Sequence, residues 1–178
     1  MERFSDLLAR LSVTTTSADR SITANLTSAT GLTVRLHPEH LAHHDDTSLS
    51  GQLSQTLSKT LAAARRATRI AQDRSGVEHD RKRLAAYPLG RRRLAFEAAA
   101  ETTTGTGRSA DRMVSVSVEG ATGIRVRLRP RTVHHVASDR IAAAVNEAVA
   151  AARAQQGSAV VAAYHQAFDI DETRSTHA

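Results

Sequence analysis

The chain of 178 residues has no cysteine, no tryptophan, only three prolines and 3% aromatic residues. The lack of cysteine excludes a disulfide framework and a thiolate metal site, which fits the cytoplasm. Because aromatic residues are scarce, the core must be built from alanine, valine and leucine. No apolar run approaches the roughly 18 residues of a membrane span, and no signal peptide is visible. We therefore expect no membrane partner.

The motifs of common catalytic sites are also missing. The sequence has no glycine-rich phosphate loop after a strand, no Gly-x-Ser-x-Gly elbow and no cysteine nucleophile. Asp19-Arg20 and Asp111-Arg112 recur, but an acid and a base adjacent at a strand entrance are typical of a turn or a structural pair. The sequence therefore predicts no catalytic residue and no cofactor, and a protein that is not an enzyme.

One stretch of the chain occurs twice. Asp19–Pro38 (DRSITANLTSATGLTVRLHP) returns 92 positions later as Asp111–Pro130 (DRMVSVSVEGATGIRVRLRP), without an insertion. Such self-similarity indicates a duplicated unit. We assign residues 1–76 to a first repeat with a long C-terminal helix. Residues 77–170 form a second repeat preceded by a basic, proline-interrupted helix, and residues 171–178 form a polar tail.

Each repeat contains alternating apolar and polar residues, the pattern of strands with one buried face. Residues 22–26 and 32–36 alternate in the first copy, as do residues 114–118 and 124–128 in the second. Gly31 and Gly123 fall where the chain must reverse, and we expect a positive φ there. Pro38 and Pro130 should end the second strand of each copy.

A third strand per copy is expected just before the repeat, at residues 12–17 and, with a more ambiguous pattern, near residues 99–104. Helices should follow each sheet. Leucines spaced every fourth residue predict a helix over about residues 47–74, and Ser138 is an expected N-cap of its counterpart. The spacing between the copies is expected to drop from 92 to 88 at this helix. Around residues 43–47, four residues would then lack a partner.

Two further helical regions are short or broken. Residues 1–11 can form only a short helix, and Pro88 should split the connecting segment into two helical pieces because proline lacks an amide donor. The predicted fold class is α+β, with two tandem units of a helix, a three-stranded antiparallel sheet and a helix. Each unit alone would be marginally stable, so we expect the two to pair as an intramolecular pseudo-dimer.

Positive charge is concentrated in one segment. Residues 65–93 hold ten Lys or Arg against three acids, whereas the whole chain carries a net charge of +6. Arginines clustered on exposed helix faces are typical of a polyanion-binding protein. An arginine-rich surface that binds nothing is the alternative. The candidate DNA-binding residues are Arg65, Arg66, Arg69, Arg74, Arg81, Lys82, Arg83, Arg91, Arg92 and Arg93. With few aromatic residues nearby, duplex phosphates are favoured over base stacking on single strands.

A group of histidines and acids lies in residues 37–46 (HPEHLAHHDD). His40 and His44 could share a helical face as metal ligands, as could a pair drawn from His43, His44 and Asp46. The segment follows a proline that ends a strand, however, and its counterpart in the second copy keeps little of it. We therefore expect exposed loop histidines, with His37 among them, and no metal site.

The order of elements and the alanine-rich run Ile141-Ala-Ala-Ala-Val-Asn146-Glu147-Ala-Val resemble the YbaB/EbfC family of bacterial nucleoid-associated proteins. The match covers about residues 94–156 in the second copy, and the strands with residues 53–65 in the first. The resemblance implies dimerisation through the sheets, sequence-tolerant DNA binding and a regulatory or chromosome-organising role. Two fused copies would form in one chain the dimer that family members make from two.

The sequence thus predicts a nucleoid-associated or regulatory protein of the cytoplasm that binds double-stranded DNA. Two alternatives stay open. A protein-interaction or scaffold role, with self-association or a protein partner, would be favoured if the arginines pair with carboxylates within the fold. An enzyme or metal protein would require the side chains of residues 37–46 to converge.

Overall fold

The computed structural model describes residues 4–74, 84 and 86–168 of the chain. Its elements in chain order are α1 (Phe4–Ala9), β1 (Ser12–Thr16), β2 (Ile22–Thr27), β3 (Gly31–Leu36), α2 (Asp46–Arg74), α3 (Pro88–Glu101), β4 (Thr104–Arg108), β5 (Val114–Glu119), β6 (Gly123–Leu128), α4 (Thr132–His135) and α5 (Ser138–Phe168). A short 3₁₀ turn at Pro38–His40 follows β3. The protein is α+β, with two antiparallel sheets ordered β1-β2-β3 and β4-β5-β6.

Five of the six strands lie where the sequence analysis predicts them, but β4 does not. Residues near 99–104 were expected to form a strand, whereas Ala99, Ala100 and Glu101 complete α3. Alanine is the strongest helix former, and three consecutive alanines extend the helix to Glu101. The strand follows at Thr104–Arg108, in a Thr-Gly-Thr-Gly sequence with little strand signal of its own.

The turn of the first hairpin is as expected, and that of the second is different. Gly31 has φ +68°, but in the second copy the positive φ of +58° belongs to Gly120 and not to Gly123. The expectation for Gly123 was therefore wrong. A Cβ on Gly123 would lie 2.7 Å from the carbonyl oxygen of Glu119, its cross-strand partner, so this glycine allows a close backbone approach.

The long helices lie where the spacing of their apolar residues predicts helices. The helix predicted over residues 47–74 is α2, and α1 is the short helix expected near the N-terminus. Helix α5 is one residue longer than predicted at its start: Ser138 is its first residue, and the carbonyl of Ala137 accepts the amides of Arg140 and Ile141, so Ala137 and not Ser138 occupies the N-cap position. Helix α3 begins with Pro88, whose missing amide is tolerated in the first turn. Apart from residues 84, 86 and 87, the helical piece expected before Pro88 lies outside the described residues, as does the polar tail after residue 168.

The spacing between the repeats stays at 92 residues through the long helices, so the expected drop to 88 was wrong. Helices α2 and α5 start at Asp46 and Ser138, which are 92 residues apart. The buried Leu53 and Val145 keep the same separation. No residue around 43–47 therefore lacks a counterpart. The sequences of the two loops differ, but their lengths are equal.

Both repeats contribute to one hydrophobic cluster. The inward faces of β2, β3, β5 and β6 meet the apolar stripes of the two long helices there. The leucines of α2 at positions 49, 53, 57 and 61 supply one stripe, and Ile141, Val145 and Val149 of α5 supply the other. Among the described residues, none of the helices is long and apolar enough to span a membrane.

Each long helix also contacts the edge strand of the other repeat. Helix α2 lies along β6, and α5 lies along β3. The amides of Ile124, Val126 and Leu128 in β6 donate to the hydroxyls of Ser58, Ser54 and Ser50, at 3.1, 2.8 and 3.1 Å. Since an uncovered strand edge is a template for unwanted pairing, α2 protects this edge as well as filling the core.

Candidate nucleic-acid interface

The exposed side of α2 carries the first group of candidate arginines. Leu61 and Ala64 point into the core, whereas Arg65, Arg66 and Arg69 are exposed to solvent. This division follows from the helical period, because the leucine stripe occupies only one side of α2. These arginines can therefore reach a ligand while the apolar stripe remains buried.

One of these arginines makes an ion pair with the other repeat. Nη2 of Arg65 lies 2.5 Å from Oε1 of Glu101, at the C-terminal end of α3. The two side chains are 48% and 54% exposed, so water screens the pair and its contribution to stability is about 0–1 kcal/mol. Among the described residues, no carboxylate pairs with Arg66 or Arg69.

The second group of candidates lies on the first turns of α3. Arg91, Arg92 and Arg93 are all exposed. Nε of Arg93 is 3.1 Å from Oε1 of Glu97, one turn later on the same helix. The side chain of Arg74, and the whole of Arg81, Lys82 and Arg83, lie outside the described residues, so the structure does not bear on these four candidates.

Aromatic side chains near the arginines are few. Tyr87, directly before α3, is 61% exposed. Phe96 makes an edge-to-face contact with Tyr164 of α5, with ring centroids 5.4 Å apart. Phe96 therefore attaches α3 to α5, and Tyr87 is the aromatic residue of this region that is most accessible to a base.

A third set of arginines lies on the solvent face of the second sheet. Arg125 and Arg127 of β6 are exposed, and Arg108 of β4 is exposed on the same face. Alternation along the sequence predicts that Arg125, Arg127, Arg129 and Arg131 all lie on the polar side of this strand. That is wrong for the last two, because β6 ends at Leu128. Arg131 instead has a φ of +68° in the turn before α4. The position of Arg108 on this face was not predicted, because β4 was expected several residues earlier.

The histidine segment does not converge on one point. Nε2 of His44 is 2.6 Å from Oδ2 of Asp19, and Nδ1 of His44 is 3.1 Å from the hydroxyl of Ser48. Nε2 of His37 instead faces the hydroxyl of Thr23 at 2.9 Å. In the part of the chain that the structure describes, no group of three His, Asp or Glu side chains could hold a metal ion.

Asp19, His44 and Ser48 are the residue types of a hydrolytic triad, but Ser48 has a structural role. Its amide donates to Oδ1 of Asp45 at 2.7 Å, and its hydroxyl accepts the amide of Asp45 at 3.0 Å. This reciprocal pair caps the first turn of α2. The amide of Ser48 also lowers the pKa of Asp45, because it donates to the charged carboxylate. The serine hydroxyl that His44 contacts is therefore part of the cap of α2.

The repeated Asp-Arg pairs form two matching turns, as expected. Arg20 and Arg112 have positive φ of 61° and 56°. In each turn a serine hydroxyl donates to the aspartate, Ser17 to Asp19 at 2.6 Å and Ser109 to Asp111 at 2.7 Å. These contacts explain why the pair recurs: it forms the entrance to β2 and to β5.

The carboxylates of these turns are held in the charged form. Burial raises the pKa of Asp19, but hydrogen bonds from Ser17, Ser21 and His44 outweigh burial and bring the pKa far below its usual range. Hydrogen bonds from the Ser109 hydroxyl and the Met113 amide likewise lower the pKa of Asp111.

Comparison with models of known protein families gave no match, and comparisons with curated proteins and with solved structures also gave none.

Proposed function

We propose that this protein binds duplex DNA with little sequence preference, through arginines on the exposed sides of α2 and α3. The observation that carries the proposal is the exposure of Arg65, Arg66, Arg69 and Arg91–Arg93, all six of the candidates whose side chains are described. A polyanion can reach these guanidinium groups without disturbing the core. Contacts of this kind attract any duplex, because phosphates are the same in every sequence.

The pairing of Arg65 with Glu101 is compatible with this proposal. An exposed ion pair is weak, and a phosphate offers the guanidinium the same bidentate geometry as a carboxylate. Arg66 and Arg69 have no such competitor among the described carboxylates. We therefore expect these two residues to contribute more than Arg65.

We further propose that the two repeats form a pseudo-symmetric dimer within one chain, as the resemblance to the YbaB/EbfC family implies. Two equivalent contacts support the proposal. Ser54 of α2 bonds to the backbone of Val126, and Asn146 of α5 bonds to the backbone of Val34. These two contacts involve equivalent positions of the two repeats. Ser54 and Asn146 are 92 residues apart, and so are Val34 and Val126. The role would be nucleoid-associated or regulatory, with binding and no catalysis.

A salt-titrated gel shift with random duplex DNA tests the function. The double variant R66Q/R69Q should weaken binding equally for unrelated sequences, and should flatten the plot of log affinity against log salt by up to about 1.8, since each lost phosphate contact removes about 0.9. The matched control is R35Q/R140Q, which removes two exposed arginines elsewhere. Failure of the wild-type protein to bind duplex DNA at low salt would refute the proposal.

A protein-interaction role is the second candidate, and specific contacts favour it. Within the described part of the chain, Arg65 pairs with Glu101 and Arg93 pairs with Glu97. Large apolar side chains are also exposed near α3 and on α5, among them Leu89 at 69% and Val161 at 54%. This candidate predicts no binding to DNA at low salt and a protein partner or second copy on the surface formed by α3 and α5.

A further inference from the structure

The solvent faces of the two sheets differ in charge although their backbones match. In the first sheet, cross-strand rows on this face are Ser12-Thr27-Gly31, Thr14-Asn25-Thr33 and Thr16-Thr23-Arg35. In the second sheet the equivalent rows are Thr104-Glu119-Gly123, Thr106-Ser117-Arg125 and Arg108-Ser115-Arg127. The solvent face of the first sheet thus has one arginine, whereas that of the second sheet has three.

The three arginines form a compact group. Ser115 in the central strand pairs with both Arg108 and Arg127, so these two side chains flank it in one row. Arg125 projects from the same face two residues before Arg127, about 6.8 Å away at the usual rise of an antiparallel strand. All three are exposed. Their guanidinium groups therefore extend from neighbouring points of a rigid sheet.

Among the described residues, no carboxylate forms an ion pair with Arg108, Arg125 or Arg127. The acid on this face, Glu119, lies in the row farthest from Arg108 and Arg127. Three exposed arginines on one face, without a carboxylate partner among the described residues, give that face a positive potential that attracts an external polyanion.

We propose that the solvent face of the second sheet is a second phosphate-contacting surface for duplex DNA, and that the first sheet has no such surface. This inference rests on the proposed function. The hydroxyls of Ser115 and Ser117 alternate with the arginines along the rows and can donate to phosphate or sugar oxygens. The rows contain no aromatic side chain, so they offer no platform for stacked bases. Both features favour the backbone of a duplex.

The two copies of the repeat would then have different roles in binding. The first sheet would keep the neutral threonine-rich face, and the second would add contacts to those of α2 and α3. A single chain can hold such an asymmetry, whereas a homodimer of identical subunits must present the same face twice. The duplication therefore allows one side of the molecule to change independently of the other.

Binding of random duplex DNA by the R125Q/R127Q variant, titrated with salt, tests the inference. We expect weaker binding and a slope reduced by up to about 1.8 relative to the wild-type protein. The matched control is R35Q, because Arg35 occupies in β3 the position that Arg127 occupies in β6. This control should leave affinity and slope unchanged. The R125K/R127K variant keeps the charge and should retain most of the slope, which separates phosphate contact from a structural role.

Three results would overturn the inference. If R125Q/R127Q remains folded by circular dichroism and binds like the wild-type protein while R66Q/R69Q is weakened, the sheet surface is wrong and the proposed function stands. If R35Q is weakened as much as R125Q/R127Q, the asymmetry is wrong. If the wild-type protein binds no duplex DNA at low salt, the proposed function fails, and this inference fails with it.

Discussion

Asn146 of α5 makes two hydrogen bonds to the backbone of Val34, a residue of the other repeat. Its Nδ2 donates to the carbonyl oxygen of Val34 at 3.1 Å, and its Oδ1 accepts the amide of Val34 at 2.6 Å. At Val34, one amide side chain thus makes the two hydrogen bonds that a neighbouring strand would make to the edge strand β3. At the edge of the second sheet, the hydroxyls of three serines of α2 accept backbone amides of β6. The two repeats therefore cover one another's sheet edges with different side chains.

The Asn146→Ala variant should be less stable by about 1–3 kcal/mol, since both polar groups of Val34 would lose their partner in a region that is partly buried. Calorimetry should show one transition shifted to lower temperature, because both repeats share a single core. The control is Asn25→Ala on the solvent face of β2, where only an exposed hydroxyl contact to Thr14 is lost. If both variants lose equally little stability, the two hydrogen bonds of Asn146 to Val34 do not stabilise the fold.

The strands and long helices could be predicted from sequence because their signals are local. The alternation of apolar and polar residues predicted β2, β3, β5 and β6, and the spacing of the leucines predicted α2. The strand β4 could not be predicted in this way, because Gly105 and Gly107 have low strand propensity. That strand forms where glycines let α5 come close, which is a property of the packed structure.

The contacts between repeats were not predictable from local patterns. Ser50, Ser54 and Ser58 recur every fourth residue, but beside a leucine stripe such serines read as ordinary polar helix surface. Their partners in β6 are 66 to 78 residues away. The pairing of Arg65 with Glu101 was missed for the same reason: Glu101 is 36 residues away and lies outside the basic segment whose charge was counted.

The Asp19→Asn variant should change how stability depends on pH. The pKa of Asp19 is lowered in the folded protein, although burial opposes this, by hydrogen bonds from Ser17, Ser21 and His44. A lowered pKa stabilises the fold above the unfolded value of about 3.9, and this contribution is lost as pH falls through the folded pKa. The variant should therefore be less stable than the wild-type protein at neutral pH, and the difference should shrink below about pH 4.

Thermal melts between neutral and acidic pH would measure this difference. Glu119→Gln is the control, since Glu119 is exposed at the end of β5 and should show little effect on stability at any pH. If the difference in melting temperature between the wild-type protein and Asp19→Asn stays constant down to the lowest pH, the charge of Asp19 does not stabilise the turn. The His44→Gln variant removes one of the contacts and should give a smaller change.

The close approach of α5 to β4 in the second repeat depends on glycine, and Gly107→Ala tests it. A Cβ on Gly107 would lie 2.1 Å from the carbonyl oxygen of Ala148 and 2.4 Å from the amide of Ala152, both in the backbone of α5. Because neither atom belongs to a flexible side chain, α5 or β4 would have to move. We expect a loss of about 1–3 kcal/mol or more, the range found when well-packed cores are overfilled.

The equivalent residue of the first repeat, Thr15, keeps its side chain, whose hydroxyl lies 2.5 Å from that of Thr60 in α2. The matched control is Gly51→Ala, because a Cβ at Gly51 in the exposed side of α2 meets nothing within 4 Å. This change should stabilise the protein by about 0.5–1 kcal/mol, since alanine favours a helix interior over glycine. In chemical denaturation, a lower midpoint for Gly107→Ala together with a higher midpoint for Gly51→Ala would support the close packing of α5 on β4. A Gly107→Ala variant as stable as the wild-type protein would show that the helix lies farther from the strand.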